Sequence, residues 1–291
     1  MSIIVDKNTR VLVQGITGHE GSFHTRQMLR YGTRIVAGVT PGKGGQQVEG
    51  IPVYERVSEA ISKHGANTSI IFVPAHSARS AILEALGSGI TTLVVITESI
   101  PLKDTIEVMA YARKRSGVTI IGPNTAGVIS PANGTHVGIM PSHIFRSGPV
   151  GMVSRSGTLT YEISSHMTKA GIGQSTCVVV GGDPVIGTGF VSVLEMFRHD
   201  DETKAVVLIG EIGGNAEELA ARYIKETGYP KPVVAYIAGR TAPSEKRMGH
   251  AGAIIMGNTG SAMSKIVAFT AVGVQVAEKP SDVARLLLSV S

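Results

Sequence analysis

The chain is poor in cysteine and in aromatic residues. Its 291 residues include one cysteine, no tryptophan and only 4% aromatic side chains. The single cysteine, Cys177, excludes an internal disulfide, and its valine-rich surroundings predict a buried thiol. A chain that uses no disulfide is expected to work in a reducing, cytoplasmic compartment.

Long apolar runs and concentrated positive charge are also missing. No stretch approaches the ~18 consecutive apolar residues of a membrane span. The first ten residues include Asp6, Lys7 and Arg10, which is not the pattern of a signal peptide. The net charge of +5 is spread along the chain, without a basic stripe or interleaved aromatics. These patterns disfavour a nucleic-acid partner and favour an anionic small molecule.

Glycine, by contrast, is abundant. The chain has 36 glycines, and many directly follow apolar runs, a placement typical of phosphate-binding turns in α/β folds. A hydrophobic content of 43% with 17% charged residues indicates a well-packed protein. The length allows two domains of ordinary size.

Short β-branched runs alternate with helical stretches, which predicts an α/β fold built on parallel sheets. In the first half, strands are predicted at 11–14, 34–39, 68–73, 92–96 and 118–121, and helices at 21–31, 57–63, 78–88 and 103–117. Little periodicity follows up to about Pro149, so this region is interpreted as a linker and the first strands of a second unit. Further strands are predicted at 150–154, 174–180, 205–209 and 232–237.

A glycine-rich turn follows the first predicted strand. Gly15, Gly18 and Gly21 precede a helix, and this arrangement lets a pyrophosphate approach the helix N-terminus. A dinucleotide site should carry Asp or Glu about 20 residues further on, but the second strand leads into a glycine-rich loop with Lys43. Lys43 suits an additional phosphate, as in coenzyme A or NADP. A solvated loop lysine is the ordinary alternative.

Two later strand ends are expected at the same edge of the sheet. Val73-Pro74-Ala75 and Ile96-Thr97-Glu98 both follow predicted strands, and ligands of open α/β sheets bind at the carboxyl ends of strands. Thr97 and Glu98 are candidates to meet the adenosine or pantetheine part of a ligand. Either residue is equally well explained as a helix cap.

Three segments of the second half carry the elements of phosphate chemistry. His250 lies between glycines without apolar periodicity to bury it, and Glu211 follows an apolar run. Ser156-Gly157-Thr158 should open a helix, whose free amides would attract an anion. Each has an ordinary interpretation as a loop histidine, a turn or an N-cap. Their conjunction predicts phosphate transfer through an imidazole whose tautomer is fixed by the Glu211 carboxylate.

With these motifs placed, the whole chain resembles the α-subunit family of succinate–CoA ligase, also called succinyl-CoA synthetase. The matching segments follow one another in order: 15–21, 41–45, 96–98, 122–124, 154–161, 181–184, 210–214 and 246–253. The resemblance implies a Rossmann-like CoA-binding domain over residues 1–123 and a flavodoxin-like ligase domain over residues 124–291. It also implies a β subunit with an ATP-grasp domain, which would hold Mg²⁺ and ADP/ATP or GDP/GTP in an αβ or (αβ)₂ assembly.

The resemblance also implies roles for individual residues. His250 would be phosphorylated, Glu211 would hold its ring, and Ser156, Gly157 and Thr158 would bind the phosphoryl group. Tyr161 would contact the acid substrate. The residues expected to hold coenzyme A are Thr17, Gly18, His19, Glu20, Lys43, Ile96, Thr97 and Glu98.

One segment departs from the family pattern. Many members have Cys-Pro after Gly-Pro-Asn, whereas this chain has Thr125-Ala126, so a sister ligase for another acid such as malate stays open. Two other classes also remain. An NADP-dependent oxidoreductase would use the glycine turn and Lys43, and a non-catalytic CoA-binding regulator would need only the first domain.

Overall fold

The computed structural model describes residues 2–243, 248–255 and 260–290. Its strands form two seven-stranded sheets, one after the other along the chain. The alternation of strands and helices expected from the sequence is confirmed. Residues 244–247 and 256–259, on either side of the segment that carries His250, lie outside the described residues, so Lys246 and Arg247 of the family segment 246–253 are among those not described.

The first sheet is parallel apart from one short hairpin. Its strands, in chain order, are β1 (Val11–Gln14), β2 (Ile35–Val39), β3 (Gln47–Val48), β4 (Ile51–Tyr54), β5 (Thr68–Ile71), β6 (Thr92–Val95) and β7 (Thr119–Ile121). The helices are α1 (His19–Tyr31), α2 (Val57–His64), α3 (Ala75–Gly87) and α4 (Leu102–Arg113). The spatial order β3-β4-β2-β1-β5-β6-β7 makes this a doubly wound sheet.

The second sheet combines a parallel body with an antiparallel pair. Its strands are β8 (Gly127–Ser130), β9 (Thr135–Gly138), β10 (Ser147–Ser154), β11 (Gln174–Val179), β12 (Ala205–Glu211), β13 (Val233–Ala238) and β14 (Gln275–Ala277). The helices are α5 (Gly157–Lys169), α6 (Phe190–Arg198), α7 (Ala216–Thr227), α8 (Ala262–Thr270) and α9 (Asp282–Val290). In the order β14-β13-β12-β10-β11-β8-β9, only β8 pairs antiparallel, with β11 and β9.

Both sheets are hydrophobic because helices cover their faces. Every residue of β1, β5, β11 and β12 is buried, which fits the continuous apolar runs of parallel strands. Cys177 in β11 is fully buried as expected, and burial raises the pKa of its thiol. Among the described residues, no helix is both long and apolar enough to cross a bilayer.

The two halves of the chain contact each other through α1 and the β8–β9 pair. The Thr33 hydroxyl donates to the His136 carbonyl at 2.8 Å and accepts from the His136 amide at 2.9 Å. The Asn124 amide donates to the Thr97 carbonyl at 3.0 Å. These bonds orient the carboxyl ends of β5 and β6 toward the second sheet, so residues from both halves line one cleft.

Candidate active site

Two adjoining cavities lie at the carboxyl ends of the first sheet. The first, of about 620 Å³, is lined by the glycine turn after β1, the end of β2 and the residues after β5. The second, of about 570 Å³, lies between the two halves and is called here the interdomain cavity. Glu20, Phe72, Val73 and Pro74 line both cavities. A single elongated ligand can therefore extend from the glycine turn to the second half of the chain.

The glycine turn forms one wall of the first cavity, as predicted. Thr17, Gly18, His19 and Glu20 all line it, and α1 begins at His19 with Gly18 as its N-cap. Gly21 permits this close approach, because a Cβ at that position would lie 2.1 Å from the Gly15 carbonyl oxygen. The first helical turn, whose amides have no partner within the helix, therefore borders the cavity.

Lys43 lies on the loop beyond β2 but does not itself line either cavity in the described structure. Its amide closes a turn by donating to the Thr40 carbonyl at 3.1 Å. The Glu55 carboxylate accepts hydrogen bonds from the amides of Gly42 and Gly44, both at 2.6 Å, and these bonds lower the pKa of Glu55. Sequence reasoning did not anticipate this carboxylate, which follows β4 and shapes the Lys43 loop.

The predicted residues Ile96, Thr97 and Glu98 all line the interdomain cavity. The Thr97 hydroxyl donates to the Val73 carbonyl at 2.7 Å and so joins the ends of β5 and β6. Tyr161 and His250 line the same cavity from the second half. The structure thus brings this strand end into one space with the candidate catalytic residues.

The second sheet places its polar residues at its own switch point. The chain passes from β10 to β11 on one side and then crosses to β12 on the other. This reversal opens a crevice at the carboxyl ends of β10 and β12. Ser154 ends β10 and leads into α5, and Glu211 ends β12.

His250 meets Glu211 at this crevice. Its Nδ1 lies 2.9 Å and 3.0 Å from the two carboxylate oxygens of Glu211. The imidazole is 27% exposed and the Glu211 side chain 10%. Gly182 packs against the ring, because a Cβ there would lie 2.3 Å from His250 Cγ. A carboxylate at this position favours the tautomer with the proton on Nδ1, which places the lone pair of the ring on Nε2.

The N-terminus of α5 lies where the sequence predicts an anion site. Ser156 is its N-cap, and the Ser156 hydroxyl accepts from the Leu159 amide at 3.4 Å. Gly157 and Thr158 line the interdomain cavity together with His250. The first-turn amides, which lack partners within the helix, and the helix dipole both favour a phosphoryl group here. Ser156 itself is the N-cap of this helix and is not among the residues that line the cavity.

Two ionisable groups that line the interdomain cavity, His250 and Tyr161, have raised pKa values. The hydrogen bond to Glu211 raises the pKa of His250 above its ordinary value, against an opposing effect of burial. Burial raises the pKa of Tyr161 to about 12, so this phenol stays protonated at neutral pH. Tyr161 can therefore donate a hydrogen bond to an anionic substrate.

Sequence reasoning missed several charged and polar neighbours of this site. His24 lines the interdomain cavity and stacks on Phe72, with 5.7 Å between ring centroids. Arg155 lies within the predicted segment 154–158, yet only the structure places its guanidinium 3.5 Å from Glu211. In the sequence, the only indication of a role for Arg155 is its position directly before Ser156. Among the described residues, no group of three or more metal-ligating side chains is present.

Comparison with known proteins agrees with this geometry. Residues 6–99 match the family described as CoA binding domain, and residues 153–275 match the family described as CoA-ligase. The fold and the matches together define a ligase with a CoA-binding domain. The chain is 58% identical over 290 residues to succinate–CoA ligase [ADP-forming] subunit alpha 2 of Archaeoglobus fulgidus, covering 100% of both chains. The chain belongs to the succinate–CoA ligase α-subunit family.

Other relatives show the same likeness. The ADP-forming succinate–CoA ligase α subunit of Methanothermobacter thermautotrophicus is 59% identical over 281 residues, covering 97% of this chain and 94% of that protein. The structure of ATP citrate lyase from Methanothrix soehngenii, in complex with citrate and coenzyme A, matches with a TM-score of 0.87 at 26% identity. That match covers 99% of this chain and 51% of the lyase chain, so the present chain spans about half of it.

Proposed function

We propose that this chain is the phosphohistidine-bearing α subunit of a succinate–CoA ligase. The observation that carries the proposal is the contact between His250 Nδ1 and the Glu211 carboxylate, 2.9 Å, in a cavity lined by both halves of the chain. The enzyme would interconvert succinyl-CoA, phosphate and a nucleoside diphosphate with succinate, coenzyme A and a nucleoside triphosphate. Neither the oxidoreductase nor the regulator alternative gives His250 and Glu211 a role.

The chemistry divides into two transfers on this chain. Phosphate attacks the acyl carbon of succinyl-CoA and forms a carbon–oxygen bond; the carbon–sulfur bond breaks, which gives succinyl phosphate and the thiolate of coenzyme A. Nε2 of His250 then attacks phosphorus, and succinate leaves as a carboxylate. The Glu211 carboxylate stabilises the proton on Nδ1 while Nε2 carries the phosphoryl group, and the first turn of α5 stabilises its charge.

Coenzyme A would lie along the two adjoining cavities. Its pyrophosphate fits the glycine turn, with Thr17, Gly18, His19 and Glu20 around it, and Lys43 would meet the ribose 3′-phosphate. Ile96, Thr97 and Glu98 would hold the thiol end near Tyr161, which would contact the acid. We propose residues 1–123 as the CoA-binding domain and residues 124–291 as the ligase domain; the family matches over 6–99 and 153–275 support this division.

The last transfer requires a partner. The relatives are named α subunits of ADP-forming ligases, which supports a β subunit that accepts the phosphoryl group on ADP. We propose that this subunit carries an ATP-grasp domain with the nucleotide and Mg²⁺. The partly exposed His250 side chain would present the phosphoryl group to it.

The test is to map phosphate on the native complex, purified with the partner that accompanies this chain. After Mg-ATP or Mg-GTP is added, acid-labile phosphate is located by mass spectrometry at neutral to basic pH. We expect label on His250 that succinate plus coenzyme A removes. Label that only malate or citrate plus coenzyme A removes would keep the mechanism and change the acid. A partner-bound complex without label would contradict the proposal.

A matched variant separates catalysis from binding. His250→Ala should abolish nucleotide formation, because among the described residues His250 is the one whose imidazole pairs with Glu211 at the crevice, while leaving coenzyme A binding nearly unchanged. Binding is measured by isothermal titration calorimetry and turnover by a coupled assay. His199→Ala, a substitution at an exposed histidine at the end of α6, serves as the control. Normal turnover of the His250 variant would sink the mechanism.

A further inference from the structure

A row of alternating charges runs from His250 into the interior of the second half. We call it the buried charge chain, and in order from the imidazole its members are Glu211, Arg155, Glu217, Lys265 and Glu218. Only Glu218, at the end far from His250, is appreciably exposed, and the side chains of Glu217 and Lys265 are 0% exposed. Burying several ions costs free energy, which folds tolerate where the ions are mutually paired. The mechanism above uses only the first of them.

Arg155 is shared between two carboxylates. Its Nη1 donates to the Gly213 carbonyl at 2.9 Å and to Glu217 Oε1 at 3.3 Å. Its Nε lies 3.5 Å from Glu211 Oε1, close enough for attraction but longer than a charge-assisted hydrogen bond. The guanidinium is thus committed mainly to Gly213 and Glu217.

Glu217 is itself held from both sides. Its Oε1 also accepts from the Glu211 backbone amide at 3.1 Å. Its Oε2 accepts a hydrogen bond from Lys265 Nζ, which also donates to Glu218 Oε2 and to the Gly214 carbonyl, both at 3.1 Å. Lys265 comes from α8, so the chain ties the end of β12, the start of α7 and α8 into one unit.

This sharing decides which partner Glu211 takes. An unshared guanidinium binds a carboxylate through two parallel hydrogen bonds. Such a pair between Arg155 and Glu211 would draw the carboxylate oxygens away from His250. With Nη1 committed to Glu217, both oxygens of Glu211 remain at 2.9 Å and 3.0 Å from His250 Nδ1.

We propose that Arg155, Glu217 and Lys265 are positioning residues that keep the Glu211 carboxylate on His250 and thereby hold Nε2 toward the phosphoryl group. This inference rests on the proposed function of His250. Arg155 neutralises the Glu211 anion in a nearly dry site, and Glu217 with Lys265 limits how far Arg155 can pull it. The charged groups described around the imidazole are Glu211, Arg155 and Asp183.

The experiment compares phosphorylation rates of the native complex and its variants in single turnovers with Mg-ATP, across a pH series. Glu217→Gln keeps the shape but releases Arg155 toward Glu211. We expect phosphorylation of His250 to slow at least about 10-fold, the low end of the effect of partners that orient a histidine ring. The acid limb of its pH profile should move to lower pH, because Glu211 is drawn off the ring.

Arg155→Met should move the acid limb the other way. Removing the cation removes its repulsion of a protonated His250, so the limb moves to higher pH while phosphorylation also slows. A purely structural role would slow both variants without opposite displacements of the limb. Glu195→Gln, on the exposed pair between Glu195 and His199 in the same half, is the control and should match the wild type.

A second variant tests the proposal if the first one does not fold. Should Glu217→Gln fail to fold, Glu217→Met combined with Lys265→Met removes both buried charges at similar volume, a change that proteins often tolerate. This variant should show the same slow phosphorylation and the same shift of the acid limb to lower pH. If the wild type is phosphorylated on His250 and the variants match it in phosphorylation rate and in the position of the acid limb, the positioning role alone is overturned. Unlabelled wild type would overturn the proposed function and, with it, this inference.

Discussion

At the level of single residues, the contact between Glu211 and His250 makes a pH-dependent prediction. The Glu211 hydrogen bond raises the pKa of His250, and only the neutral imidazole can accept a phosphoryl group at Nε2. Phosphorylation should therefore fall as the pH drops through this raised pKa. In Glu211→Gln the charge is lost and the pKa falls, so the acid limb should move to lower pH while the plateau rate drops on the order of 100-fold.

Single-turnover rates between pH 5.5 and 9 measure both changes. Glu226→Gln, at an exposed position near the end of α7, is the matched control and should leave the profile in place. An unchanged limb in Glu211→Gln would show that Glu211 does not control the protonation of His250.

At the level of secondary-structure elements, the loop between β2 and β3 makes a prediction about ligand discrimination. Lys43→Ala should weaken coenzyme A binding by about 10- to 100-fold, the size of one charge-assisted contact to a phosphate. Binding of 3′-dephospho-coenzyme A should be nearly unaffected. Titration calorimetry gives both affinities, with Lys114→Ala, exposed just beyond α4, as the control. Equal losses for the two ligands would place Lys43 away from the 3′-phosphate.

The bounds of the strands and helices differ in how well the sequence patterns predict them. The fully buried strands were predicted to within two residues at their ends, because continuous apolar runs such as Val11 to Val13 are typical of buried parallel strands. The predicted strand 205–209 continues to Glu211, because Gly210 and Glu211 pair with Ile237 and Ala238 of β13. The helix predicted over 103–117 ends at Arg113, and a turn then leads to Gly117, whose φ of 73° is left-handed.

Some residues of the candidate site could be predicted from the sequence, and others could not. Local motifs predicted His250, Glu211 and the α5 N-terminus, and the structure brings these together. Lys265 reads in the sequence as an ordinary surface lysine, and Glu217 as a helix-start carboxylate. Their ion pair joins residues 48 positions apart in the chain. No local pattern encodes such a contact, because it depends on how α7 packs against α8.

At the level of the whole molecule, the contact between the two halves makes the chain sensitive to acid. His136 is buried where β9 meets α1, and burial lowers its pKa to about 3. The unfolded chain binds a proton on this residue below its ordinary pKa of 6.5, whereas the folded chain does not. His136 therefore contributes a loss of stability as the pH falls from 6.5 toward 3, by up to about 1.4 kcal/mol per pH unit.

Urea unfolding followed by circular dichroism at pH 7.0, 6.0 and 5.0 measures this slope. His136→Gln keeps an acceptor for the Met140 amide, which bonds His136 Nε2 at 3.2 Å, and cannot titrate. The variant should start less stable at pH 7 and lose stability less steeply than the wild type. Parallel slopes for the two proteins would show that His136 does not contribute to acid sensitivity.

The burial of Cys177 has a consequence for an enzyme whose proposed substrate is itself a thiol. Burial keeps the Cys177 sulfur in the protonated form, and a thiol rather than a thiolate does not attack disulfides. The folded chain therefore cannot form a mixed disulfide with oxidised coenzyme A through its own sulfur. Under oxidative stress it would stay unmodified at cysteine, and thiol-reactive dyes applied to the complex would report only on the partner or on a cysteine placed by design.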